Sequence, residues 1–363
     1  MPTKLAAAAV QLSDDYEELY DEVTRRGWGD GLPIVPPTRP RIERMLAATD
    51  LTPDHVIGEM PPRRADLTVE LLAINAVMAG CLPDYFPVVV AIAEVIVQPE
   101  FNLFALCTTT NPVTECVIVN GPVRHQLDIN SRYGFLGPGW RANATIGRAI
   151  KLTERNVGGT IPGKVSKATG GQPGRYGNLV FGEVEERSPW APLHTTRGFE
   201  ATDSTVTVYP AVSRVNISNQ DAQSAEAILN HIFNSLTPLG SNTYNMGGND
   251  MINPSLIVLC PDHANLIGRV GGMSREEVQR YLLEHARRPF SDIHPQYQDK
   301  VRKQKNFRDG YVYLHNTPEQ FLLAVAGGDG GQTVYFSNFG DIGRTITWPI
   351  RLKGEAKAQG ARP

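Results

Sequence analysis

Hydrophobic positions recur along the chain with two periods, and the changes of period divide it into helices, buried strands and loops. DDYEELYDEVTRR, residues 14–26, has the helical period and stops at Gly27, with basic residues in the last turn where the macrodipole favours them. GWGDGLPIVPPTRPRIERML follows as a turn-rich, extended segment in which Thr38, Pro40 and Glu43 have the pattern of a helix N-terminus. TVELLAINAVMAG, residues 68–80, is apolar on nearly every side and predicts a buried helix ending at Gly80. A second helix is expected over residues 84–97, where the length of the run outweighs the β-branched content of VVVAIAEVIV. LFALCTTTN and ECVIVNGPV are short apolar runs bounded by Gly, Pro and Asn, which is the pattern of buried strands; ATIGRAIKLTERN restores the helical period.

The later part of the chain repeats this order. SAEAILNHIFNSL predicts a helix, INPSLIVLCPDHANLIG a buried strand running into a loop, and SREEVQRYLLEHARR a helix with Ser274 as N-cap and Glu277 completing a capping box. FLLAVAGGDGG predicts a further strand that leaves into a Gly-rich loop. NPVTECVIVNGPVRH and NPSLIVLCPDH share an Asn-Pro start, an apolar strand, a Pro-containing exit and then a histidine. Between them STVTVYPAVSRVNIS alternates, as a strand pair or one long bent strand. The fold class expected is therefore α/β: a pseudo-duplicated strand-loop-helix body with buried strands, plus an N-terminal extended Pro-rich arm. The expected divisions are a helix and Pro-rich arm over residues 1–66, a first α/β half over 67–200, a second over 201–352, and a disordered polar tail over 353–363.

Composition narrows the chemistry. A net charge of -3 with 20% charged residues gives no bulk electrostatic case for nucleic acid or anionic lipid. The apolar patch near the start is too short for a signal-peptide core or a membrane span, so a cytoplasmic protein is expected. Cys81, Cys107, Cys116 and Cys260 are scattered without a CxxC pair, which argues for reduced thiols over a zinc site or a disulfide framework.

Cys81 is the first chemical candidate. If the second helix begins near residues 82–84, the thiol lies at its N-terminus, where free N–H groups favour the thiolate; otherwise it is a small packed hydrophobe at a bend. Cys107 and Cys260, at expected strand ends, are its substitutes. His125 and His263 follow the two analogous strand exits and can converge as base and acid or as metal ligands, with Asp128, Asp262 or His294 as a third ligand; each alone is equally an ordinary loop histidine. For an anionic or acyl substrate the candidates are Asn120, Asn143 and Arg148, then Arg175 in the TGGQPGRYG loop, and Gly271, Gly272 and Ser274 in GRVGGMS, which precedes a capped helix. MGGND and AGGDGGQT are further Gly-rich loops, and any of these loops can equally be a tight turn. In GEVEE, Glu183 and Glu185 on one face of a strand, with Glu186 next to them, offer paired carboxylates suited to acid/base work or else an exposed acidic strand face. Trp28 with Asp30 is a lid carrying an acid or an aromatic anchor for the arm. Neither a P-loop nor a dinucleotide fingerprint occurs, so no cofactor is specified and hydride transfer is disfavoured.

Together, GWGDGLPIVPPT, INAVMAGCLPDYFPVV, VNGP, ATIGRA, SPWAPLH and AVAGGDGG resemble the motifs of a bacterial family of largely uncharacterised proteins with a GWxDGLPxxPPT signature. The likeness spans residues 25–350. Some members of that family are joined to, or found beside, a small domain with a UGSC or CGSC selenocysteine/cysteine motif. The resemblance implies thiol-linked or sulfur-related chemistry and a partner protein of that type; this chain lacks the GSC motif, and no catalytic residue carries over. The function expected is a lyase, hydratase or hydrolase acting on a small polar, anionic metabolite, with Cys81 as nucleophile or thiol base and His125 and His263 handling protons. A metal-dependent enzyme built on the two histidines and a non-catalytic subunit of a thiol-redox complex are the alternatives. Homo-oligomerisation is expected because LPIVPP would otherwise expose an apolar segment.

Overall fold

Helices in this chain begin and end where local side chains satisfy their free backbone groups. The structure, a computed structural model, describes residues 5–177, 179–241 and 253–355. α1 (Tyr16–Arg26) starts at Asp15, whose carboxylate accepts from Glu18 N, and ends at Gly27 in the left-handed region at φ 72°. α2 (Arg39–Leu46) and the hairpin of β1 (Val56–Met60) and β2 (Ala65–Thr68) lead to α3 (Val69–Ala79). Thr68 caps α3 on Leu71 N and Gly80, at φ 91°, closes it. α4 (Phe86–Ile96) is buried over almost its whole length. LFALC, expected as a strand, is instead helix α5 (Leu103–Thr108), capped by Asn102 on Ala105 N. An apolar run of that length has too little periodicity to separate the two states, and the asparagine cap decides.

The remaining elements in chain order are β3 (Thr114–Asn120), α6 (Val123–Gln126), α7 (Arg141–Asn156), α8 (Gly174–Gly177), β4 (Leu179–Gly182), β5 (Thr205–Ala211), β6 (Ser213–Ser218), α9 (Ala225–Leu236), β7 (Ser255–Leu259), α10 (Pro261–Asn265), α11 (Arg275–His285), β8 (Arg287–Pro289), α12 (Pro295–Val301), β9 (Phe307–Arg308), β10 (Tyr311–Tyr313), β11 (Phe321–Val325), β12 (Gln332–Ser337) and β13 (Ile346–Pro349). One sheet has the order β13-β5-β3-β4 and the other β6-β12-β7-β11. In both, only the last-named pair is parallel. β3 and β7, which carry the two matching sequence stretches, occupy the same place in their sheets. The first-named strands are exchanged: β6 follows β5 across Val212 but completes the β7 sheet, and β13 follows β12 but completes the β3 sheet. STVTVYPAVSRVNIS is thus two strands in two sheets. The β3 sheet takes β5 and β13 from the range expected to form the second half.

Alternation along these strands makes four layers. Cys116, Ile118, Phe181 and Tyr209 pack against Leu256, Val258, Ala324 and Phe336 between the sheets. Val117, Val119, Val180, Val206 and Val208 turn the other way, into the core that contains α3, α4 and α7, while Ile257, Leu259, Leu323 and Val325 join α9 and α11. The buried Tyr209 hydroxyl stitches the sheets by donating toward Phe336 O at 2.9 Å and Pro254 O at 3.0 Å. Of the 353–363 tail, Lys353 Nζ donates to Ala47 O and Gly354 N to Asp50 Oδ2; residues 356–363 and the MGGND loop lie outside the described residues. Among the described residues no helix is long and apolar enough to cross a membrane.

Residues 27–38 are fastened to α7 chiefly by Arg148, with Arg155 donating to Gly27 O at 3.3 Å. Arg148 grips Asp30 in bidentate fashion at 2.8 Å for both contacts and donates further to Leu32 O and Pro33 O. Burial opposes ionisation of Asp30, but the hydrogen bonds and charge of Arg148 outweigh it and lower its pKa. This pair therefore stabilises the fold above the unfolded carboxylate pKa of about 3.9 and is lost as pH falls through the lower folded value. Arg148→Met is expected to cost about 3 kcal/mol in urea unfolding, since it strands a mostly buried carboxylate, and to open residues 27–33 to limited proteolysis. Unchanged stability and an unchanged cleavage pattern would contradict this.

Candidate functional site

The carboxyl ends of the two parallel strand pairs meet at one rim of the sandwich. Val184 N donates to Val325 O at 2.7 Å, and Gly327 N to Ser131 O at 2.8 Å. Between these contacts sits Glu183, fully buried directly after β4. Its Oε2 accepts from Asn120 Nδ2 at 2.6 Å and Leu193 N at 2.8 Å, and its Oε1 faces Val325 N at 3.4 Å. Burial raises the Glu183 pKa, partly offset by the charge of Arg275 and the Asn120 hydrogen bond. Arg275 is itself held by Leu323 O and Ala191 O and lies over the Trp190 ring. The β4 exit is therefore not an exposed acidic strand face: its first carboxylate is sealed between the halves.

Outward from Glu183 the network reaches solvent. Asn120 Nδ2 and Gly121 N both donate to Glu185 Oε1, at 2.9 and 2.8 Å. Gly121 has φ 83°, and a Cβ there would lie 2.1 Å from Asp203 O, so the position requires glycine. Arg124 donates to Gly121 O and Glu183 O and pairs with Glu185 Oε2 and Glu186 Oε1, both at 2.9 Å. Glu186 Oε1 also meets His125 Nε2 at 2.9 Å. Against the effect of partial burial, Arg124 and His125 hold the Glu186 carboxyl at about 2. His125 is 61% exposed, and its Nδ1 makes no hydrogen bond among the described residues. Next in the chain after Glu186, Arg187 pairs with Asp329 at 2.7 Å, while Asp262 accepts from Gly330 N and Gly331 N at 2.9 and 2.8 Å. The exits of β3, β4, β7 and β11 thus share this rim.

The other predicted residues are occupied elsewhere. Cys81 is buried beside Gly80; its thiol donates to Thr145 O at 3.2 Å, and burial pushes its pKa up to about 12, the reverse of activation. No hydrogen bond joins the Cys81 thiol and the His125 imidazole. His263 is buried with both ring nitrogens engaged, Nδ1 by Thr333 Oγ1 at 2.8 Å and Nε2 by Asn219 O at 2.9 Å. Asn143 binds the backbone of Asn130, Phe135 and Val180. Arg175 donates to Val113 O, Leu106 O and Ser166 Oγ. Gly271 and Gly272 end a π-helical turn. Ser274 caps α11, whose N-terminus is filled by the Glu277 carboxylate of the capping box, where a bound anion was expected. His294 accepts from Gln296 N at the start of α12. Among the described residues no group of three or more His, Cys, Asp and Glu side chains could hold a metal. Arg124 and Arg187 are the residues of this rim that the sequence did not single out; their signal is adjacency, Arg124 beside His125 in NGPVRH and Arg187 directly after the acidic GEVEE run.

A separate buried cluster lies under α7. Lys151 pairs with Glu115 and, at 3.0 Å, with Glu154, and the Cys107 thiol points at Glu154 Oε2 from 3.9 Å. Burial, then repulsion from Glu115, lift Glu154 to about 7 in spite of Lys151. No protein-family model, curated protein or solved structure matches this chain.

Two measurements follow from these environments. With a pKa of about 12, Cys81 is ionised to only ~10⁻⁵ at pH 7, so iodoacetamide should label it slowly in the native protein and rapidly in urea; fast native labelling would show an activated thiol. Because the folded pKa of Glu154 is raised, its contribution is complete below the unfolded value of about 4.3 and is lost as pH rises through about 7. Glu154→Gln should flatten the decline in unfolding free energy across that window; parallel curves for the two proteins would contradict the assignment.

Proposed function

We propose that the protein is an enzyme of lyase, hydratase or hydrolase type that acts on a small anionic metabolite at the rim between the two sheets, with His125 as the proton carrier. The observation that carries this is the pairing of an exposed imidazole with Glu186, itself fixed by Arg124. A Glu186 carboxylate accepting from Nε2–H leaves the Nδ1 lone pair of neutral His125 directed away from the pair, as a general base. After it takes a proton, the imidazolium is stabilised by the same carboxylate and can return the proton to a leaving group or a carbon. Elimination, hydration and hydrolysis all need this exchange. Arg187, whose Asp329 partner is half-exposed, is suited to take a substrate carboxylate in exchange for it.

This reading leaves Cys81 out of the chemistry, because its thiol is neutral at physiological pH, and makes His263 a structural residue. It also disfavours the metal-dependent alternative, since His263 has no free ring nitrogen.

Small hydroxy-, amino- and unsaturated carboxylates can be screened by proton NMR in D₂O, which detects both turnover and exchange at carbon. His125→Asn should lower the rate on any active compound by about 10²–10⁴-fold, and Glu186→Gln by less, with the pH profile displaced. Full activity in His125→Asn, or no turnover and no exchange by the wild type on the whole set, would refute the proposal.

A further inference from the structure

The far end of α11 carries a second grouping of charge. There a cavity of about 390 Å³ is lined by Leu283, Glu284, His285, Arg287, Arg308 and Tyr313. The small antiparallel sheet β8-β10-β9 builds it: Tyr313 pairs with Arg287 on one side of β10, and Tyr311 with Arg308 on the other. Both guanidinium groups gather on one ring. Arg308 lies 3.6 Å from the Tyr313 centroid, and Arg287 lies 5.4 Å from it and 4.1 Å from that of Tyr311. Arg287 Nη1 also donates to Tyr313 Oη at 2.6 Å.

These two arginines lie against tyrosine rings and form no ion pair among the described residues. Arg124, Arg148 and Arg187 each meet a carboxylate at 2.9 Å or less. Neither Arg287 nor Arg308 has a carboxylate within salt-bridge distance among the described residues, although both are half-buried. Glu284 borders the cavity but forms no ion pair with them. A guanidinium lying against an aromatic ring keeps N–H groups to donate at its edge, and of these Arg287 commits Nη1 to the Tyr313 hydroxyl; those that remain on the two arginines are the kind of donors that grip an oxyanion. The C-terminal dipole of α11 accounts for a cation such as Arg287 two residues beyond the helix. It does not account for Arg308, which arrives from β9 on the other side of the ring. His285, fixed by Nδ1 on Tyr281 O at 2.8 Å and stacked on that ring, completes a cationic and aromatic wall.

We propose that this cavity binds the doubly charged oxyanion of a small metabolite, a phosphoryl group or a dicarboxylate, with Arg287 and Arg308 as its two forks. The site is distinct from the rim: α11 has 11 residues, so its C-terminal end lies about 16 Å from Arg275, which faces Glu183. Its test is therefore independent of the His125 chemistry. Isothermal titration of the full chain at fixed ionic strength, with inorganic phosphate, pyrophosphate and succinate as separate probes, distinguishes the two ligand classes. Saturable binding with a 1:1 stoichiometry is expected for at least one probe. Arg308→Gln, at a half-buried position next to the exposed turn Asp309–Gly310, should weaken that binding at least tenfold without moving the melting temperature much, and Arg287→Gln should do the same if it folds. Absence of saturable binding by all three probes, or equal affinity in wild type and Arg308→Gln, would overturn the proposal.

Discussion

A single carboxyl group enclosed between two sheets is the constraint around which the rim of this protein is organised. Glu183 draws its hydrogen bonds from the end of β3 through Asn120, from the chain at Leu193, and weakly from the end of β11 at Val325. A group this deeply buried is tolerated only where donors surround it, and supplying them fixes the relative position of the strands that provide them. Asn120 bridges Glu183 to Glu185, Glu185 holds the Gly121 turn, and Arg124 ties that turn to Glu186. His125 takes its place on the surface as the last member of this chain of contacts. The proposed chemistry therefore depends on a residue that substrate does not touch.

The sandwich itself gains polar registration from these contacts. Its inter-sheet layer is made of Cys116, Ile118, Phe181, Leu256, Val258 and Phe336, whose hydrophobic attraction is non-directional, so directional hydrogen bonds add to the registration that side-chain packing supplies. Reciprocal exchange of β6 and β13 makes each sheet depend on the other half of the chain, and the Tyr209 hydroxyl and the Glu183 network then set the register. The same economy is seen at α7, where Asn143 and Arg148 spend their hydrogen bonds on backbone carbonyls and on Asp30. These two helical side chains hold loops in place.

Much of the architecture was legible in the chain because periodicity and capping are local. The left-handed glycines 27 and 80 and the Ser274–Glu277 box end or begin helices as their sequences predict. The similarity of NPVTECVIVNGPVRH and NPSLIVLCPDH corresponds to the equivalent central strands β3 and β7. The exchange of β6 and β13 was not legible, since a strand's sequence does not say which of two adjacent sheets it joins. The site was legible only in part. His125 and Asn120 do meet in one network, but Cys81, Arg148, Arg175 and Ser274 were singled out by residue type and neighbouring glycines, and type alone cannot tell a side chain aimed at a ligand from one aimed at a carbonyl. GEVEE gave no sign of which glutamate is buried, because burial of Glu183 is created by residues 120, 193 and 325, far away in the chain.

The dependence of the rim on Glu183 can be measured most directly by native-state hydrogen exchange, comparing wild type with Glu183→Ala by peptide mass spectrometry. The account predicts that protection falls together in three segments distant in sequence, around residues 119–126, 183–193 and 322–327, while α3 and α4 keep theirs. A loss confined to residues 182–186, or no change at 322–327, would show that Glu183 does not couple the two halves.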